Sequence, residues 1–375
     1  MKTKKIHIVS LDVPFPADYG GAIDIYYRIK ALHDLGLEVE LHTFEYGRGK
    51  QPELDKIAKV NYYKRKKGVF SNLSRRPYIV QSRINRELEQ ALLKDNAPIL
   101  FEGIHTTYYL ESEKLRDRFT MVRMHNLEDE YYAGLMKNAS FFKRLFFSIE
   151  TQKLKKYQRI LEKANHVLAI KKTDALELEK INPNVSVLPA SIPEIQGKYQ
   201  TTGRYALFHG NLSVPENHKA AMWLIKTLKP ILRPEFDFII AGKSPSRSLK
   251  SACQKNDIEL VENPSKAEME KLIQEAQIHT LYTPLQTGIK LKLLNCMVSS
   301  GHILANSKMI NGTHLEEFCV EANDPKMFKM HFVGLQSVTL EEKDFIKRKT
   351  FIDEHFNTKK NCIHILALLE NSTVH

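Results

Sequence analysis

The chain has 375 residues, 42% hydrophobic and 27% charged, with 56 Lys and Arg against 44 Asp and Glu and a formal net charge of +12. That length is too great for one ordinary core and predicts two domains, while the composition excludes an intrinsically disordered chain. No run of about 18 apolar residues occurs, which argues against a transmembrane helix, and the apolar stretch 6–11 is too short and interrupted for a signal peptide. The four cysteines, Cys253, Cys296, Cys319 and Cys362, lack CxxC or CxxH spacing. This speaks against structural zinc and for reduced thiols in a cytosolic compartment. The positive charge predicts an acidic partner, with nucleic acid, anionic lipid and phosphorylated small molecules all fitting it.

Apolar strand-like runs alternate with helical patterns in two series. The first opens with a strand over 5–11 and a loop holding Pro14, Pro16, Gly20 and Gly21. A helix follows, with Ile25, Ile29, Leu32 and Leu35 on one side and Gly36 as its stop. Runs at 39–44, 60–64, 98–103, 120–125 and 166–170 read as further strands. Asn182-Pro183, Ile192-Pro193 and the polar stretch 196–204 read as a linker. The second series places strands at 205–209, 236–241, 258–261, 278–282 and 302–305, with a helix carrying Ala221, Leu224 and Leu228 after the first of them. Such alternation predicts an α/β protein of two Rossmann-like doubly wound domains facing a central cleft. The expected boundaries are 1–195, 204–340 and a helical tail, 341–375, packing back toward the first domain.

Between the last two strands of the second series lies Thr287-Gly288-Ile289-Lys290-Leu291-Lys292-Leu293-Leu294-Asn295. Ile289, Leu293 and Met297 have near-helical spacing, and Gly301 ends the helix. A glycine at a strand-to-helix turn, with two lysines in the first turns, suits an anion. Free N–H groups and the helix dipole point at the ligand, and glycine lets it approach the backbone. The same lysines would also suit a solvated helix face.

The ordered pattern from Gly288 to Ala305, a Gly-x-Lys-x-Lys-x-Leu stretch, a small-residue helix, Gly301 and an apolar strand, resembles the GT-B retaining glycosyltransferases of the "glycosyl transferases group 1" class. The similarity spans nearly the whole chain and is strongest over 205–312. It implies a nucleotide-sugar donor on the second domain and an acceptor on the first. The donor-binding residues it implies are Gly20 and Gly21 after the first strand and Gly210 and Asn211 after the second domain's first strand. Lys219 and Lys243 follow, and then Gly288, Ile289, Lys290, Lys292 and Asn295. Typical relatives hold an arginine near Asn211 and a glutamate at Asn295; here both are neutral amides that can accept or donate a hydrogen bond without charge. The first-domain strand ending Arg123-Met124-His125-Asn126 resembles the family's cleft histidine, making His125 the catalytic candidate. His105 and His209 read as structural.

Transfer needs the diphosphate leaving group stabilised as charge develops on it. Lys243, Lys290, Lys292 and the N–H groups after Gly288 suit that task. No metal ligand or cofactor is expected, because lysines supply the charge and no Asp-x-Asp pattern occurs. The resemblance implies a hexosyltransferase working with retention on a glycan or lipid-linked acceptor in surface polysaccharide or glycolipid synthesis. It would be cytoplasmic and peripheral on the inner membrane face. The basic and aromatic segment from Phe141 to Lys163 fits an anionic membrane surface, and equally a helix whose Phe142, Leu145, Phe146 and Ile149 pack inward. A second reading, drawn from Asn211, Thr287 and Asn295, is a non-catalytic GT-B protein that binds a nucleotide-sugar or glycan. Nucleic acid is not an expected partner, as no recognition-helix or RNA motif accompanies the charge.

Overall fold

A computed structural model describes residues 5–66, 68, 74–136, 139–194, 196–285 and 291–371. The chain divides into two compact units, Met1–Glu194 with Phe356–His375, and Ile195–His355.

The first unit is built on a seven-stranded sheet in the order β3-β2-β1-β4-β5-β6-β7. Its strands are β1 (Lys5–Ser10), β2 (Glu38–Glu45), β3 (Lys59–Lys64), β4 (Ile99–Glu102), β5 (Thr120–Met124), β6 (His166–Ala169) and β7 (Val185–Val187). Every pairing is parallel. Helices cover both faces, so nearly every position of β1, β2, β4 and β5 is buried, polar His7, Glu40, His42 and Thr43 among them. Val9, Phe44, Phe101 and Val122 pack on one face with Ile79, Leu88 and Leu154. Ile8, Leu41, Leu100 and Met121 pack on the other with Ile25, Ile29 and Leu32 of helix α1 (Gly20–Asp34). The helix Thr358–Asn371 completes that second face through Cys362, Ile365 and Leu369.

The second unit holds a six-stranded sheet in the order β10-β9-β8-β11-β12-β13. It comprises β8 (Tyr205–Asn211), β9 (Asp237–Lys243), β10 (Glu259–Glu262), β11 (Ile278–Leu281), β12 (His302–Ala305) and β13 (Val320–Glu321), again all parallel. In both sheets the order reverses beside the first strand, at β1/β4 and at β8/β11. Ligands of doubly wound sheets bind outside the strand ends at such switch points.

Two short edge strands, β7 and β13, lie where the sequence shows only a linker and a polar stretch. The tail read as one piece, 341–375, is divided between the units. Arg348 of the helix Glu342–His355 is buried and donates to the carbonyls of Gly301 and Phe318 at 2.7 and 2.8 Å, holding that helix in the second unit.

A chain of polar groups, buried except for the half-exposed Asp95 at its end, crosses three strands of the first sheet. The Asp95 carboxylate accepts from Nε2 of His7 at 2.9 Å, Nδ1 of His7 meets Nε2 of His42 at 2.9 Å, and Nδ1 of His42 meets the Tyr63 hydroxyl at 2.9 Å. Since a carboxylate can only accept, one set of tautomers satisfies every link: each histidine donates from Nε2 and accepts at Nδ1. Glu40, His7 and His42 are close enough to share a metal ion. However, Glu40 is already paired with Lys5 and Lys59, and both rings are bonded on both sides.

Burial, reinforced by the neighbouring His7, holds His42 down to about 3, against an ordinary value of 6.5. Burial also lowers His7. The unfolded chain therefore takes up protons first as pH falls through 6.5, so this contribution to stability is full at higher pH and declines below it. By pH 5 the loss from His42 alone is about 2 kcal/mol. Thermal unfolding should show Tm falling between pH 6.5 and 5, with His42→Phe lower at pH 8 but flatter across that interval; an unaltered slope would assign the pH dependence elsewhere.

Candidate functional site

In the first unit, the face carrying Leu100 and Met121 in mid-strand turns charged at the carboxyl ends. Glu102, Arg123 and His125 continue the same two-residue alternation. Helix α1 supplies Asp24 and Arg28 one turn apart against them. Arg28 donates to both oxygens of Asp24 at 3.1 Å, and to Glu102 at 3.1 and 3.0 Å. Arg123 reaches Asp24 from Nε and Nη2 at 3.2 Å, and the Ser191 N–H donates to Asp24 at 2.6 Å. Burial opposes ionisation of Asp24, but the guanidiniums of Arg123 and Arg28 outweigh it and hold the carboxyl well below its usual range. Glu102 is likewise lowered, against burial, by Arg28 and His125.

His125 sits inside this network. Its Nε2 is 2.9 Å from Glu102 Oε2 and its Nδ1 3.4 Å from Asp24 Oδ2. A carboxylate only accepts, so Nε2 carries the hydrogen. The ring is thus fixed by Glu102 and Asp24, groups of its own unit. Sequence reasoning picks out His125 and misses Asp24, Arg28 and Glu102, which orient it. Gly20 and Gly21 form the first turn of α1 rather than a loop before it.

In the second unit the carboxyl ends of β8 and β9 run in register, Gly210 beside Gly242 and Asn211 beside Lys243. A Cβ on Gly242 would fall 1.8 Å from the carbonyl oxygen of Gly210, so this close passage of strands requires glycine. Asn217, in the helix Pro215–Leu228, donates to the Asn211 carbonyl at 2.9 Å and accepts from Lys292 Nζ at 3.0 Å. The Lys292 ammonium also lies 4.7 Å from the Phe208 ring centroid. Gly210, Asn211 and Lys292 are thus brought together at the β8/β11 switch point, with Lys243 exposed on the adjoining strand end. The linking residue, Asn217, carries no sequence signal. Lys219 is exposed and two residues beyond Asn217, on a different side of the helix. Asn295 is half-buried in the helix Leu291–Met297, and its side chain makes no hydrogen bond among the described residues. Gly288, Ile289 and Lys290 lie outside the described residues. His209 is buried, 3.6 Å from Cys296 Sγ, and burial lowers it to about 3; it is part of the core, as is the unbonded Nδ1 of His279.

No protein-family model matches the chain. A Klebsiella pneumoniae protein described as an uncharacterized 44.6 kDa protein in the cps region is 27% identical over 379 residues, 95% of this chain and 97% of that one. Among solved structures, TarM superposes with a TM-score of 0.70 at 12% identity, covering 98% of this chain and 99% of TarM. Anabaena HepE in complex with UDP and glucose gives 0.67 at 11% identity, with 98% and 99% coverage. The lipopolysaccharide outer core galactosyltransferase WaaB gives 0.63 at 13%, with 96% and 99% coverage. The chain therefore has the GT-B fold of these glycosyltransferases, in agreement with the resemblance read from its sequence.

Removing one member of a buried charge network leaves its partners uncompensated. Arg28→Met should destabilise the first unit by about 3–5 kcal/mol, and adding Glu102→Leu should recover part of that. Urea denaturation of both variants checks this; a loss below 1 kcal/mol for Arg28→Met would show that the network is not structural.

Proposed function

We propose that this chain is a glycosyltransferase that moves a hexose, with retention, from a nucleotide-sugar to a glycan or lipid-linked acceptor in surface polysaccharide or glycolipid assembly. The observation that carries the reading is the Gly210, Asn211, Asn217 and Lys292 arrangement at the β8/β11 switch point, with Lys243 on the next strand end. Amide donors and ammonium groups there suit a nucleoside diphosphate, whose charge grows as the glycosidic bond breaks. HepE, a fold relative, binds UDP and glucose, and the Klebsiella relative belongs to a cps region; both favour such a substrate. The lysines supply charge that other enzymes draw from a metal, so transfer needs no cation. His125, fixed by Glu102, would line the sugar site.

Lys292→Met should weaken UDP binding at least about tenfold, the scale of one charged hydrogen bond, in a thermal-shift titration over a panel of nucleotides and nucleotide-sugars. Unchanged binding removes the donor reading. Nucleotide binding without transfer to any acceptor would favour the non-catalytic alternative, which the uncharged Asn295 motivates.

We also infer an anionic membrane surface as partner. The helix Phe141–Tyr157 leaves Phe141, Phe142, Leu145 and Ile149 exposed at 78, 82, 56 and 48%, so the inward-packing alternative fails for three of its four residues; Phe146 alone is half-buried. Lys143, Arg144, Lys155 and Lys156 are exposed along the same helix, giving apolar anchors with basic flanks. Phe142→Ser with Leu145→Ser should abolish co-sedimentation with phosphatidylglycerol vesicles without lowering Tm; retained co-sedimentation would exclude this helix as the anchor.

A further inference from the structure

The carboxyl end of the first sheet holds a second polar group that neither the buried charge network nor the donor chemistry uses. Arg83 is 5% exposed, and its Nε and Nη1 donate to the main-chain carbonyls of Leu11 and Ile79 at 2.8 and 2.6 Å. Arg65 donates from Nε to the hydroxyl of Ser82, the residue preceding Arg83, at 3.0 Å. Its guanidinium lies 4.7 and 5.2 Å from the ring centroids of Tyr46 and Tyr78. Among the described residues neither arginine is ion-paired with a carboxylate, and Nη2 of Arg83 and both Nη atoms of Arg65 have no hydrogen-bond partner.

The position is that of a ligand site. Leu11, which Arg83 grips, follows β1, and His105 follows β4, so the two flank the β1/β4 switch point. Nδ1 of His105 is a buried ring nitrogen without a partner. It sits 2.9 Å from where a Cβ on Gly103 would stand, and Gly103 has φ +73°, so only glycine leaves room for that ring. Burial, then the positive charges of Arg83 and its neighbours, keeps His105 well below the ordinary imidazole range. Burial and the like charge of Arg65 lower Arg83 to about 9, despite the opposing influence of Asp12. The buried Glu128 carboxyl, near enough to feel Arg83, is itself pushed up by burial, which weakens it as a counter-charge. A desolvated cation without a counter-ion is costly, and a bound anion relieves that cost.

We propose that Arg65, Arg83 and His105 bind a phosphate group carried by the acceptor. The planar guanidinium fork matches phosphate oxygens, and a neutral imidazole adds one donor. The assignment to an acceptor rests on the transferase reading above; the site itself does not.

Calorimetric titration of the full chain with inorganic phosphate, glucose 1-phosphate and farnesyl phosphate, each with and without UDP, tests it. Phosphate binding that Arg65→Gln weakens at least about tenfold, with UDP affinity unchanged, is the expected result. A preference for farnesyl phosphate assigns a lipid carrier, and a preference for glucose 1-phosphate a soluble glycan. Arg83→Gln should act in the same way. If it fails to fold, because Arg83 also ties Leu11 to Ile79, Arg65→Gln decides alone, since the one hydrogen bond of Arg65 among the described residues is to Ser82. Undiminished phosphate affinity in folded Arg65→Gln overturns the proposal. Equal loss of UDP and phosphate affinity overturns it as well, by giving the arginines to the donor. Phosphate binding without UDP binding upholds the anion site and removes the donor reading alone.

Discussion

Both sheets are parallel and covered on both faces, and this constraint governs where chemistry can occur. A side chain in mid-strand is committed to a dry core, so charge there must be balanced within the protein. The Asp95–His7–His42–Tyr63 chain shows that solution, with every ring nitrogen bonded and both imidazoles kept from charging. Only at the carboxyl ends, where the strand order reverses, does the fold leave groups able to face a ligand. His105 and His125 follow the carboxyl ends of β4 and β5, Asn211 and Lys243 end β8 and β9, and Arg83 and Lys292 reach these ends from neighbouring segments through the Leu11 carbonyl and Asn217.

The same constraint explains what the sequence discloses. Strands buried on both faces leave a largely apolar signal, so eleven of the thirteen strands, β1–β6 and β8–β12, overlap the stretches read as strands from the sequence. β7 and β13 are edge strands of three and two residues, too short for any periodicity to register. The Phe141–Tyr157 helix is misleading in another way: an apolar stripe at helical spacing has the same pattern whether it meets a core or a surface, and only the packed structure separates the two.

The site residues divide similarly. His125, Gly210 and Lys292 are visible because they stand next to strand or helix signals. Glu102 is not, because Arg28 is linked to it across 74 residues, and the i,i+4 pair Asp24–Arg28 reads locally as an ordinary helix ion pair until Arg123 joins Asp24 across 99. No local spacing encodes such long-range pairs. Asn217 is invisible for the same reason, an unremarkable helix asparagine until folding sets it between the Asn211 carbonyl and the Lys292 ammonium.

Counting cations against their partners then separates architecture from function. Arg28 and Arg123 face Asp24 and Glu102, so a ligand anion approaching them would compete with bonds already made in a medium that penalises any imbalance. Those arginines hold α1 to the sheet and fix the His125 ring. Among the described residues Arg65 and Arg83 bond only to a hydroxyl and two carbonyls, and Arg65 lies beside two aromatic rings, so an incoming anion breaks no ion pair with them. Two arginines are thus committed to internal balance, while Arg65 and Arg83 at the same sheet end have no ion-paired carboxylate among the described residues, and the proposed phosphate site rests on that difference.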